Sequence, residues 1–417
     1  MRTRRTTLKT LALALAVPLT VAVAACGGSG TGPSNPGGKA AGTGGEIVIG
    51  ATLSLTGSLG APGLPLEAGY QQEIADVNAA GGITVGGTRE KVKLVVLDNG
   101  GDPVKASSQA SELVLRDHAV ALLGSASPLT VMPAALVAEQ LRVPFLTSQV
   151  PVEEFASGDK AGWDYSWDIS YDERQQAADA ARALAAVPGD KKVALFTDDE
   201  QDSVAERPLY AAALAADGLD VVGDYTFPVG TAGFSAFIAD AKARGAQLLA
   251  GQMDPAGGVA LWRQLKSSGF HPKAAFLARA SDGGSWWQSL GGLALGTLSE
   301  GYWSPGQASP GQLAAIAPTL GKRYAGAPDY ATAAVAYAVA EVLTDAVAKA
   351  GAAVPGQVNT AIARTEARTT AGLIKFSQST HTATTPYYVT QWQDGKLVQV
   401  QPLAPGVTLG VPTAGLG

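Results

Sequence analysis

The stretch that decides the fold reads Ala119-Val120-Ala121-Leu122-Leu123-Gly124-Ser125-Ala126-Ser127-Pro128 and, after a helical interval, Val143-Pro144-Phe145-Leu146-Thr147-Ser148-Gln149. Ala119 to Leu123 is a short apolar run that suits a strand buried on both faces. Gly124 breaks it. Ser127 is a residue type that caps helices, and Pro128 fits the first helical position, so a helix is expected from Pro128 to Leu141. Pro144 to Leu146 reads as a second strand. A strand–helix–strand crossover builds a parallel sheet, and open parallel sheets bind ligands outside the carboxyl ends of their strands. Both strands here end in small polar residues. Ser125, Ser127, Thr147, Ser148 and Gln149 are therefore expected to line a cleft, although the same residues also serve as ordinary turn formers. The free N–H groups at the start of the Pro128 helix favour an anionic ligand group.

The whole chain agrees with this local reading. Its 417 residues are enough for two domains, and 46% hydrophobic with 16% charged residues is a globular composition. A net charge of −6 with only three His argues against nucleic acid as a partner. The single cysteine excludes an internal disulfide and any cysteine-rich metal site.

Residues 1–25 read as a signal peptide, with Arg2, Arg4, Arg5 and Lys9 before the apolar run Leu11 to Ala25. The run is too short for an ordinary membrane span. Its end, Val23-Ala24-Ala25-Cys26-Gly27, resembles a bacterial lipobox, in which Cys26 would be lipidated. Plain secretory cleavage after Ala24 is the rival reading. The arginine pair also resembles a twin-arginine export signal without its usual aromatic residue. Residues 26–45, rich in Gly, Ser, Pro and Thr, read as a flexible tether between a lipid anchor and a soluble domain.

From Ile47 the pattern alternates strand and helix: strands at Ile47–Leu53, Lys91–Leu97 and the two already described, with helices at Leu64–Asn78 and from Asp102-Pro103 to His118. The alternation restarts after Trp167. Strands are expected at Lys192–Thr197, Asp220–Tyr225, Gln247–Ala250 and Ala274–Ala278, separated by helices. The fold class is α/β, with two similar units in tandem and a cleft between them. The Ala-rich helix Tyr330–Lys349 carries Glu341, Asp345 and Lys349, which argues for packing inside a globule. Tyr387–Trp392 and Leu397–Val400 around Asp394-Gly395 read as a hairpin.

These residues resemble a known family. Ile49-Gly50 with Leu55-Thr56-Gly57, the segment Asp76-Val77-Asn78-Ala79-Ala80-Gly81-Gly82-Ile83, and Leu97-Asp98 before Asp102-Pro103 are similar to the leucine/isoleucine/valine-binding proteins of ABC importers. Leu261-Trp262-Arg263-Gln264-Leu265 and Gly301-Tyr302-Trp303-Ser304-Pro305 add to the likeness, which covers about residues 46–402. The resemblance implies two Rossmann-like lobes, 46–167 with 304–373 and 168–303 with 374–417, joined by three crossings and closing on a small ligand. It implies a monomer that delivers an amino acid or related carboxylate to an ABC permease, anchored to the outer face of the cell membrane, with no cofactor. It also implies a site made by Thr56, Ser125, Ser127, Pro128, Leu129, Thr147, Ser148 and Gln149 from the first lobe. The second lobe would add Asp202, Met253, Arg279 and Asp282, with Trp303 at a crossing.

The chain departs from the family's pattern in ways that bear on the ligand. The family's loop serine aligns with Pro128, its loop threonine hydroxyl is lost near Pro151, and its aromatic residue aligns with Asp202-Ser203. The acid that pairs with a ligand ammonium aligns near Ala280, next to Arg279. A guanidinium fork suits a carboxylate, so the expected ligand is an anion that need not carry an ammonium group. Return of Asp282 or Asp202 to the ammonium position is the alternative.

Two other functions have less support in these residues. An exported hydrolase lacks support, since no Gly-x-Ser-x-Gly or His-Glu-x-x-His occurs and His118, His271 and His381 have no motif partner. Asp198-Asp199-Glu200 reads as a solvated loop more readily than as a metal site. A sensor ectodomain of the same fold would need a separate signalling partner. Trp286, Trp287, Tyr302 and Trp303 either fill lobe cores or line the cleft.

Overall fold

The deciding stretch forms strand Ala121–Leu123, helix Pro128–Leu141 and strand Phe145–Ser148. The computed structural model describes residues 45–401 apart from 58, 126, 149 and 325–328. The signal peptide, Cys26 and most of the tether lie outside the described residues, as does Gln149.

Two sheets carry the chain. The first runs in the order Thr382–Thr384, Ser166–Ser170, Phe145–Ser148, Ala121–Leu123, Ile47–Leu53, Val92–Asp98, parallel throughout. Its apolar runs feed both faces, because successive side chains in a strand point in opposite directions. Ala121 and Leu123 enter a core with helices Gly60–Ala79 and Asp329–Ala350, whereas Leu122 enters another with helices Pro103–Leu115 and Pro128–Leu141. Gly50 permits this closeness: a Cβ there would lie 2.8 Å from Leu122 and 2.9 Å from Leu113. The Ala-rich helix is buried on most of its faces, as its three charges implied.

The second sheet runs Lys396–Gln401, Tyr388–Gln393, Leu298–Gly301, Ala274–Ala278, Leu248–Gln252, Lys192–Asp198, Asp220–Phe227. The C-terminal hairpin is its antiparallel edge, and the other neighbours are parallel. Asp102 accepts from Val104 N at 2.8 Å and Lys105 N at 3.0 Å, with Pro103 opening the helix. Asp254-Pro255 repeats the device in the second lobe, where Asp254 accepts from Gly257 N at 2.8 Å.

The passages between sheets depart from the expected boundaries. Ser166–Ser170 belongs wholly to the first sheet, so the chain leaves it after Ser170 and not after Trp167. It returns after Gly301 through Tyr302, whose hydroxyl meets Thr332 Oγ1 at 2.7 Å. The last passage falls between Thr384 and Tyr388 and not at 373, because Thr382–Thr384 adds a parallel edge strand to the first sheet. That strand is three residues long and Thr-rich, which left no apolar signal to read.

Candidate functional site

The first-lobe loops do not present the hydroxyls expected of them. Ser125 Oγ accepts from Ser54 N at 3.2 Å, and Thr147 Oγ1 donates to Ser125 O at 2.8 Å. Thr56 Oγ1 donates to Asp98 Oδ2 at 2.6 Å. Thr147 and Ser148 are fully buried. Buried hydroxyls take partners from the nearest backbone, so Ser125 and Thr147 brace the strand ends to one another. Ser127 stands at the cap position, but its side chain makes no capping bond. Pro128 opens the helix, and Leu129 is exposed.

Met253 and Asp282 of the second lobe and Trp303 at the crossing are placed away from the interlobe lining described below. Met253 is fully buried beside Phe196, Leu261 and Trp286 in a core of the second lobe. Trp303 lies in the first-lobe core, where its Nε1 donates to Thr370 O at 2.8 Å and its ring meets Tyr330 edge-on. Both are large apolar groups with an inward path, so burial outweighs exposure at the cleft. Asp282 is paired with Glu300 instead of facing an ammonium group; burial, then the neighbouring Glu300, raise its pKa.

The fate of Arg279 matters most. It follows strand Ala274–Ala278 and adopts φ 58°, a left-handed conformation that costs a residue with a side chain. Its N donates to Glu300 Oε1 at 2.8 Å. Its Nη1 donates to Glu200 Oε2 at 2.6 Å and to Asp202 Oδ1 and Oδ2 at 2.7 and 2.9 Å, and its Nη2 donates to Asp198 Oδ2 at 2.8 Å. Burial opposes its charge, yet Asp202, Asp198 and Glu200 raise its pKa. The guanidinium is thus occupied by three carboxylates of its own lobe. It is not the fork for a ligand carboxylate that the sequence suggested.

Between the lobes lies a cavity of about 400 Å³. Pro151, Glu153, Glu154 and Ser157 line it from the first lobe, on and before the short helix Val152–Ser157. Glu173, Gln201, Asp202, Ala205, Glu206 and Leu209 line it from the second. Gln201 Nε2 donates across it to Glu154 Oε1 at 2.6 Å. Glu173 Oε1 accepts from Glu153 N at 2.7 Å, and Arg174 binds both oxygens of Glu153 at 2.5 and 3.0 Å.

Of the described residues expected at the site, only Asp202 is among those lining this cavity. Glu154, Glu173, Gln201 and Glu206 were missed. Burial, then Asp202, push Glu154 up to about 7, and the same two causes raise Glu206. Glu173 is raised chiefly by burial. One signal was present in the sequence. Asp202 and Glu206 stand four apart on helix Gln201–Ala216, on the face that also carries Tyr210 and Leu214. Like charges so spaced are unfavourable, and on an apolar face they mark a site more than a solvated surface.

Comparison with known proteins agrees with the architecture. A family profile described as periplasmic binding protein matches residues 46–396. An amino acid binding protein of Pseudomonas aeruginosa is 28% identical over 225 residues, covering 54% of this chain and 58% of the relative. A Leu/Ile/Val-binding protein homolog 8 of Brucella abortus is 24% identical over 239 residues, covering 55% and 57%. The chain thus spans little more than half the length of these curated relatives. Among solved structures, a leucine-binding protein of Thermotoga maritima superposes with TM-score 0.73 at 21% identity, covering 85% of this chain and 97% of that one. A solute-binding protein of R. palustris in complex with benzoate gives 0.71 at 17%, covering 85% and 95%. With its two parallel-sheet lobes and a profile match across nearly all its described residues, the chain belongs to the periplasmic binding protein family and has the type I fold.

Proposed function

We propose that this protein is an extracytoplasmic solute-binding protein of an ABC importer, without catalytic activity, tethered to the membrane through lipidated Cys26. The observation that carries this reading is the interlobe cavity of about 400 Å³, walled by both lobes. It suits a solute of the size class that related folds hold, such as the isoleucine and benzoate named for two of them. The lobes are joined only where the chain passes between sheets, so closure is a hinge motion at Tyr171, at Tyr302 and between Thr384 and Tyr388. The closed form is held by Gln201 against Glu154 and by Arg174 against Glu153. The motif Val23-Ala24-Ala25-Cys26 supports the anchor, and membership of the periplasmic binding protein family supports hand-over to a permease.

A thermal-shift screen of the purified protein against amino acids, aromatic acids, amines and sugars tests the reading. A solute that binds only the native state raises the melting temperature in proportion to the logarithm of its concentration. The expected result is one chemical class that does so, is recovered unaltered, and reduces the radius of gyration in solution. Turnover of that compound by the protein alone, or no response to any class, would overturn it.

A further inference from the structure

Resting on the reading of the cavity as a solute site, we propose that its ligand is a linear aliphatic di- or polyamine in its protonated form, bound between Glu154, Glu173 and Glu206, and that it needs no carboxylate. Five carboxylates line the cavity: Glu153, Glu154, Glu173, Asp202 and Glu206. Two of them have cationic partners, Glu153 with Arg174 and Asp202 with Arg279. The other three have none among the described residues.

Glu206 is 2% exposed, and neither of its carboxylate oxygens has a hydrogen-bond partner. Glu173, 4% exposed, has a free Oε2, and Glu154 has a free buried Oε2 as well. A buried carboxylate without a donor is costly, and a protein keeps one where something else supplies the donor. Three uncompensated acids with four open acceptor atoms call for a ligand with at least two positive centres, each carrying several N–H groups. An alkylammonium supplies three donors.

Other ligand types fit worse. A carboxylate would enter beside three uncompensated acids, with no free guanidinium fork to receive it. The nitrogen of Arg279 without a hydrogen-bond partner, Nε, sits on a group already bound to Asp198, Glu200 and Asp202. A bare metal ion fits no better, since no group of three His, Cys, Asp or Glu among the described residues is arranged to hold one. Pro151 from the first lobe and Ala205 and Leu209 from the second stand among the acids in the lining, and they suit the methylene chain that separates two ammonium groups. Burial already raises Glu154 and Glu206, so an entering dication ionises them and releases protons.

Calorimetry on the purified protein decides the matter, with 1,4-diaminobutane, spermidine, leucine and benzoate as probes. Spermidine or diaminobutane is expected to bind, more tightly at pH 8 than at pH 5.5, with proton release. Glu206→Gln should weaken that binding at least about tenfold, roughly 1.4 kcal/mol, and Glu154→Gln should weaken it too. Glu206→Gln puts a neutral amide of the same shape in place of a buried carboxyl that has no hydrogen-bond partner, so its melting temperature without ligand should stay close to that of the parent, which separates lost binding from lost folding. If leucine or benzoate binds and the amines do not, this inference fails and the solute-binding reading stands. If none of the four binds at millimolar concentration, both are in trouble. Amine binding that Glu206→Gln and Glu154→Gln leave unchanged marks attraction to an acidic surface and also overturns the assignment.

Discussion

Arg279 holds Asp202 through a single nitrogen, Nη1, which lies 2.7 and 2.9 Å from the two carboxylate oxygens. Asp202 lines the interlobe cavity, whereas the guanidinium sits behind it, tied also to Asp198 and Glu200. Arg279 therefore organises the cavity wall without offering its charge to the cavity. Arg279→Ala leaves three carboxylates together with no cation, and removing one partner from a buried ion network costs about 3 to 5 kcal/mol. Urea unfolding at pH 7 should show a loss of that order. Arg279→Lys, which keeps the charge but loses the fork, should recover part of it.

Glu73 gives a separate prediction in the first-lobe core. It is 5% exposed, accepts from Thr344 Oγ1 at 2.8 Å, and has Tyr337, Glu341 and Asp76 as neighbours. Burial pushes its pKa up from 4.5 to about 7. The fold thus favours the neutral carboxyl. Its contribution is fully present below about pH 4.5 and is lost as pH rises through 7, a change on the order of 3 kcal/mol. Glu73→Gln keeps an acceptor for Thr344 and removes the titration. Compared with the parent, it should be more stable at pH 8 and nearly equal at pH 4.5 in paired urea melts.

Gly69 lies where helix Gly60–Ala79 crosses helix Asp329–Ala350. A Cβ at this position would overlap Ala333 O and lie 2.7 Å from Ala336 Cβ. The obstacle is partly backbone and cannot swing aside. Overpacking costs about 1 to 3 kcal/mol, more than the roughly 1 kcal/mol that alanine gains over glycine in a helix. Gly69→Ala should therefore lower the denaturation midpoint with the m-value unchanged. An unchanged or raised midpoint would show that the two helices can part without loss.

Cys26→Ser should move the protein from the membrane fraction to the soluble extracytoplasmic fraction, with export retained. Stable anchoring needs two or more acyl chains, or one with a further signal, and the tether carries only Lys39 as a basic residue. Membrane retention of the variant would exclude the lipid anchor.

Much of the fold was legible because its signals are local. The apolar run Ala119–Leu123 reads as a doubly buried strand, and Ser127-Pro128 as a helix start, from residues no more than a few positions apart. The same holds for Asp102-Pro103 and for the hairpin about Asp394-Gly395. What escaped were pieces too short or too polar for a period to show, such as strand Thr382–Thr384 and helix Val152–Ser157. That helix carries Glu153 and Glu154, so missing it hid one wall of the cavity.

By itself the sequence determined the alternation of strand and helix and a plan of two α/β units with a cleft between them. These follow from periodicity and from residues that start and stop elements. The sign of charge in that cleft was decided only by tertiary structure. Arg279 looked like an anion receptor until the fold brought Asp198, Glu200 and Asp202 onto its guanidinium. Glu154, Glu173 and Glu206 lie far apart in the sequence, and three separate elements set them around one cavity. A pair of charges interacts according to distance in space and the solvent left between them, and neither quantity is a property of position along the chain.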